Sequence, residues 1–342
     1  MKKTRMADLM FFLIILVWFF GSFLVSAIPW RADSYIYRIL LSQILLVLPV
    51  GIGLIVNKKR NPQESVCEFL GIRKIRIATV VLFVLVSIFI RPLLTVINAI
   101  SMMFVENTTS TTLVPVIGET PVWISLIMIA LVPCIFEELV YRGYFYHSYR
   151  RLGFWKGVLF SSLIFGLMHM NFNQFAYAFV MGIIFCIMAE ASGSIWGGVI
   201  VHFSINGSSV LMVWMLPKLQ KFLSTLTETT GMDVGDVAAL TDTTQIEYSV
   251  TELAQTIKLI LVPTIFMTVA AAFLIYAIAC LQKRKETFMG MLTGRTNGKE
   301  GTDIAGREEE QNLRGMTIRF PGVLYIVSAI LCLSIMIMNT IE

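Results

Sequence analysis

Glu137, Glu138 and Arg142 stand together in "CIFEELVYRGY", Cys134 to Tyr144, within a run otherwise apolar enough to cross a bilayer. A charged side chain such as Asp, Lys or Arg at the centre of a membrane helix costs about 2.5–3.5 kcal/mol on the insertion scale. Residues four apart on a helix share a face, so Glu138 and Arg142 can pair and lower that cost for each other. Glu137 points ~100° away around the helix and has no local cation. The trio has two readings. It is either a structural ion-pair cluster or one tied carboxylate beside a free, desolvated one suited to general-base chemistry.

The chain has three histidines. His169 ends "FGLMH", four residues after Phe165, and His202 opens "HFSIN", four residues before Asn206, so each pair shares one helix face. A histidine inside a membrane helix is a site residue or a helix–helix hydrogen-bonding group. Taken singly, either reading serves. Taken with Asn206 and Glu137, on three separate spans, the two histidines form a set that can converge on one water-containing cavity. At ~1.5 Å per residue, Glu137 and His202 lie at similar depths, while His169 reads as deeper. His147, among Tyr146, Tyr149 and Arg150, reads as interfacial. Arg91, beside Pro92, reads as a structural cation at a proline kink, with the cavity or Glu190 as the other placements.

The elements that must carry these residues follow from composition. Of 342 residues, 56% are hydrophobic and 14% charged, where a soluble chain carries roughly a quarter charged residues. Apolar runs near the ~20 residues needed to span a bilayer recur along the chain. Nine are read: about 9–30, 39–57, 77–105, 121–146, 154–170, 174–191, 195–216, 257–282 and 321–339. Lys2, Lys3 and Arg5 precede the first, but its apolar stretch is too long for a signal peptide and a second span follows closely. The five cysteines show neither disulfide nor zinc-finger spacing.

The connecting segments alternate in charge. Basic residues crowd the N-terminus, 58–76, 150–156 and 283–319, whereas 106–120 has none and 217–256 is rich in Asp, Glu and Thr. The positive-inside rule then places the N-terminus in the cytoplasm and the C-terminus outside. The net charge of +5 is thereby accounted for as topology, and nucleic acid is not an expected partner. The expected organisation is N-terminal spans over 1–120 with a cytoplasmic basic loop, a core at 121–216, and an acidic extracytoplasmic loop at 217–256. C-terminal spans over 257–342 follow, carrying a charged cytoplasmic linker at 283–319. "GREEEQNLRG" in that linker reads as solvated. No internal repeat suggests a transporter's duplicated halves.

"EELVYR" resembles the EExxxR motif of the CPBP intramembrane proteases, which include the type II CAAX prenyl endopeptidases. "FGLMH" resembles their FxxxH motif and "HFSIN" their HxxxN/D motif, in family order within about 120–210. "CEFLGIRKIR" upstream is similar to the amphipathic segment leading into the core of bacterial members. The resemblance implies an all-α, polytopic transmembrane helix bundle of about eight or nine spans, with a cytoplasm-facing intramembrane catalytic cavity. It also implies peptide-bond hydrolysis: Glu137 with His169 activating water, His202 and Asn206 binding the oxyanion, and Glu138 with Arg142 holding the site in register. Phe165 is the candidate substrate contact.

No HExxH is present, and a metal-free reaction is the favoured expectation. If zinc bound, His169, His202 and Glu137 would be its ligands, and Glu138 the better placed base. The expected partners are membrane lipids and a peptide or protein substrate, lipid-modified or not, in a bacterial cell membrane. CAAX-like processing, peptide or bacteriocin maturation and immunity are the settings the family suggests. The alternative is a non-proteolytic peptide-binding or proton-coupled transport or immunity protein, since intramembrane Glu and His also build proton relays.

Overall fold

A computed structural model of the protein describes residues 2–29, 32–230, 249–294 and 321–341. Among the described residues, helices and turns form the fold and no strand occurs. Hydrocarbon offers the backbone no partners, so apolar runs must satisfy their own hydrogen bonds as helices. The longer helices are α1 (Lys2–Ser26), α2 (Ala32–Arg60), α4 (Ile77–Met102), α6 (Val122–Leu152), α8 (Phe172–Ser192), α9 (Trp196–Thr230), α10 (Val250–Leu281) and α12 (Val323–Ile341). Each of these eight is long and apolar enough to cross a membrane. The chain is an integral membrane protein. Shorter helices are α3 (Val66–Phe69), α5 (Thr108–Glu119), α7 (Phe154–Leu167) and α11 (Lys285–Thr293).

Helix α6 lies at the centre, flanked by α2, α7 and α9, with α1 and α8 also reaching it. The α4–α10 pair packs on one side, against α8 and α9, and the α1–α12 pair on the other. Phe11, Phe83, Phe145, Phe165 and Phe185 fill the centre with almost no exposure.

The basic segments meet at one end of this bundle. Tyr149 at the end of α6 donates to Asp8 near the start of α1 (2.7 Å), and Asp8 also accepts from the Gly322 N–H just before α12 (2.9 Å). Arg150 and Arg284 both reach Glu190 near the end of α8. The amphipathic segment after α2 tucks in at the same end. Ser65 caps α3 through the Glu68 N–H, Phe69 and Leu70 are buried, and Gly71 takes a left-handed φ of 68° beside His147.

Three expectations are modified. The fifth apolar run, expected over 154–170, forms only the 14-residue α7, ~21 Å long against a hydrocarbon core of ~30 Å. The segment 217–256 is not wholly loop. Helix α9 runs on to Thr230 and α10 starts at Val250, where Ser249 and Glu252 form a reciprocal capping box; residues 231–248 lie outside the described residues. Of the linker 283–319, residues 285–293 form α11, ending at Gly294 with φ 70°. "GREEEQNLRG" lies outside the described residues.

Candidate active site

Helix α6 is not uniform. Leu126–Leu131 and Leu139–Tyr146 adopt π-type turns, with an α-helical segment, Val132–Glu138, between them. Such widened turns break the regular i→i+4 ladder and often mark functional sites. Within the second π-type segment, the Arg142 carbonyl meets His147 Nδ1 at 3.0 Å.

Glu138 and Arg142 form the pair their spacing suggests. Arg142 NH1 donates to Glu138 Oε1 at 2.8 Å, and both side chains are fully buried. The guanidinium lies between two aromatic faces, 4.3 Å from the Phe165 centroid and 4.8 Å from that of Phe185, which stabilise a desolvated cation through their quadrupoles. Phe165, expected at the substrate, is 1% exposed and packs against Arg142, Tyr141, His169 and His202.

Close approach of α9 to α6 depends on glycine. A Cβ at Gly198 would fall on Glu138 Oε2, and one at Gly197 would sit 2.8 Å from the Phe83 ring of α4. One turn beyond Gly198, His202 meets both glutamates. Its Nδ1 is 3.4 Å from Glu138 Oε1 and its Nε2 is 4.0 Å from Glu137 Oε2. Several buried atoms here have no hydrogen-bond partner: Glu138 Oε2, Arg142 Nε and NH2, and His202 Nδ1. Buried polar groups are normally satisfied, so this concentration in one place sets the seam apart from ordinary packing.

Glu137 differs from its neighbour. Its side chain is 16% exposed where that of Glu138 is 0%, and among the described residues no lysine or arginine forms an ion pair with it. It borders a cavity of about 110 Å³ lined also by Trp18, Gln43, Tyr141, Met168 and His169.

His169 reaches this cavity because α7 is short. The helix ends at Leu167, His169 follows in the turn, and Met170 takes a left-handed φ of 52°, uncommon for a residue with a side chain. Irregular backbone at membrane depth is tolerated where protein buries it or it lines a cavity. Two contacts hold the turn. His169 Nδ1 donates to the Phe165 carbonyl (2.8 Å), leaving Nε2 as the other ring nitrogen, and Asn339 of α12 donates to the Met170 carbonyl (3.0 Å).

Asn206 lies one turn beyond His202, with its amide nitrogen 3.8 Å from Cys134 Sγ on α6. The structure thus gathers Glu137, Glu138, Arg142 and His202 at one seam, puts His169 on the cavity beside Glu137, and sets Asn206 further along that seam. Arg91 reaches neither the cavity lining nor Glu190; it donates to the carbonyls of Ser204 (3.3 Å) and Ile205 (3.0 Å), between His202 and Asn206.

Two residues in contact with the site were missed. Gln43 of α2 donates to Glu137 Oε1 at 3.4 Å and is 8% exposed. A glutamine inside "LLSQILL" carries the same intramembrane-polar signal as the histidines. Asn339 carried that signal too, at the end of a span that had no assigned role.

Among the described residues, no three His, Cys, Asp or Glu side chains are grouped so as to hold a metal ion. As placed, the donors His169, His202 and Glu137 do not fit a zinc site.

Residues 119–208 match the family model described as Type II CAAX prenyl endopeptidase Rce1-like. Over this segment the chain is similar to an Rce1-like domain. No curated protein and no solved structure matches the chain. The matched segment runs from the turn before α6 into α9, and so includes Glu137, Glu138, Arg142, Phe165, His169, His202 and Asn206. Gln43, Arg91 and Asn339 reach the same region from helices outside it.

Proposed function

We propose that the protein is an intramembrane endopeptidase hydrolysing a peptide bond in a membrane-associated peptide or protein. The observation that carries this reading is Glu137, a cation-free carboxylate bordering a cavity that His169 also lines, with His202 within 4.0 Å of its second oxygen. Glu137 takes a proton from a cavity water, whose oxygen attacks the substrate carbonyl. His169 Nε2 faces the same water. His202, carrying a proton on Nε2, and Asn206, through its amide N–H, stabilise the oxyanion; one such donor is typically worth on the order of 10²–10³ in rate. Collapse of the tetrahedral intermediate breaks the C–N bond, and the proton held by Glu137 passes to the leaving amine. Glu138 and Arg142 do not touch substrate in this scheme; they pair on α6 where α9 packs against it, beside His202.

The basic end of the bundle belongs on the cytoplasmic side by the positive-inside rule, and the resemblance to type II CAAX endopeptidases favours substrate entry from that side. The scheme uses no metal, and zinc dependence is its direct competitor. CAAX-type processing and maturation of, or immunity to, secreted peptides are the settings the Rce1-like match suggests.

The test is cleavage of a fluorogenic, lipid-tailed peptide library by purified protein in liposomes, beside Glu137→Ala and His202→Ala, each with and without a strong chelator. Cleavage lost in both variants and kept with chelator supports the scheme. Loss with chelator and recovery with zinc replaces it with a metal mechanism. Equal background in all three proteins, with a library that a known peptidase of this type cleaves, points instead to peptide binding or proton-coupled transport.

A further inference from the structure

We infer that Gln43 is a catalytic residue that orients the attacking water, supplied by α2 from outside the Rce1-like segment. The inference rests on the peptidase reading. Glu137 Oε1 can only accept, so the amide nitrogen of Gln43 faces it at 3.4 Å. The amide oxygen is then left over. Gln43 Oε1 is buried, has no hydrogen-bond partner, and belongs to a side chain lining the cavity beside Glu137 and His169. An acceptor left unsatisfied in an apolar interior is costly, and a buried water is the usual remedy where room and polar partners exist. Both are present. The cavity of about 110 Å³ is well beyond what one water needs, and Glu137, His169 and Gln43 give that water several partners.

Such a water has a defined geometry. One hydrogen points to Glu137 and the other to Gln43 Oε1, so a lone pair is directed away from both acceptors, toward an incoming carbonyl carbon. In the attack the O–H bond facing Glu137 breaks, its proton goes to the carboxylate, the water oxygen bonds to carbon, and the carbonyl π pair moves to oxygen. The hydrogen held by Gln43 stays on the attacking oxygen as the hydroxyl of the intermediate. A water-orienting amide is a known way of raising rate without acting as a base. His169 Nε2 and the hydroxyl oxygens of Ser42 and Tyr141 are the other acceptors on this cavity; Gln43 differs from them in donating to Glu137 itself. His202 of α9 presents ring nitrogens at 4.0 Å, Glu138 is paired with Arg142, and the cavity residue from α1 nearest in chemistry is Trp18, whose indole only donates.

The experiment compares Gln43→Leu, close in size and without polar atoms, with wild type, Glu137→Ala and the double variant in liposomes. The expected result is kcat down on the order of 10² with KM unchanged, and no further loss when Gln43→Leu is added to Glu137→Ala. A packing role would instead raise KM, lower the thermal midpoint, and add its loss to that of Glu137→Ala; that pattern, or a wild-type kcat, overturns the inference. If wild type cleaves nothing, the peptidase reading fails first. The water is then sought by experimental structure determination at a resolution that shows ordered solvent. A water within hydrogen-bond distance of both Gln43 Oε1 and Glu137 keeps the water-holding arrangement. A dry cavity, or Gln43 turned away from Glu137, removes it.

Discussion

Among the described residues, two glutamate–arginine clusters are built for different ends. At the basic end, Glu190 is almost completely satisfied. Tyr146 donates to it at 2.8 Å, Arg150 approaches at 2.6 Å and Arg284 at 3.6 Å, with Arg284 also on its carbonyl. The arginines there are 33% and 25% exposed and can keep part of their hydration. At the α6–α9 seam, Glu138 and Arg142 are fully buried, each leaves polar atoms without partners, and Arg142 relies on two aromatic faces. The first cluster is a latch joining α6, α8 and the segment after α10. The second holds unsatisfied polarity beside a cavity, which a latch does not need. A carboxylate paired with arginine is therefore a weak pointer to function by itself; what separates the two clusters is polarity left unpaired around the pair.

The sharpest way to break this comparison is Glu137→Gln. It should lower kcat by on the order of 10²–10⁴, the usual range for a general base, while the thermal midpoint stays at the wild-type value; retention of activity would reduce the seam to a second latch. Next in size is Arg142→Leu, which leaves Glu138 as an uncompensated buried charge. Loss of one partner from such a pair costs about 3–5 kcal/mol, visible as a lower midpoint in thermal or denaturant unfolding, together with loss of cleavage. Glu190→Gln sharpens the contrast from the other side. Stability should fall by about 1–3 kcal/mol as hydrogen bonds to a charged group weaken, with kcat and KM unchanged. The smallest effect is expected for Asn339→Ala. One hydrogen bond to the Met170 carbonyl is worth about 1 kcal/mol, and a small drop in kcat beyond that loss would show that α12 positions the His169 turn.

Much of this was legible because it is local. The Glu138–Arg142 pair follows from helical spacing, and the spans follow from apolar length against bilayer thickness. Three features resisted for physical reasons. Glu137 and Gln43 are 94 positions apart, and no local pattern tells which face of α2 meets α6. The depth of His169 depended on where α7 stops, and its apolar sequence runs on past Leu167 without a glycine or proline to end it. Arg91 was read as a cation at a proline, with the cavity or Glu190 as other placements, and none of these named its partners, which are backbone carbonyls of another helix that no side-chain pattern announces.

The sequence by itself determined the medium, the helical character and the short list of polar residues, because burying charge in hydrocarbon is so unfavourable that each intramembrane polar group stands out. Tertiary packing decided which of them work together. Gly198 lets α9 approach α6 closely enough for His202 to meet both glutamates, the short α7 brought His169 to the cavity, and α2 added Gln43. Helix–helix approach in a membrane is set by van der Waals fit between whole surfaces, and that fit exists only once the bundle has assembled.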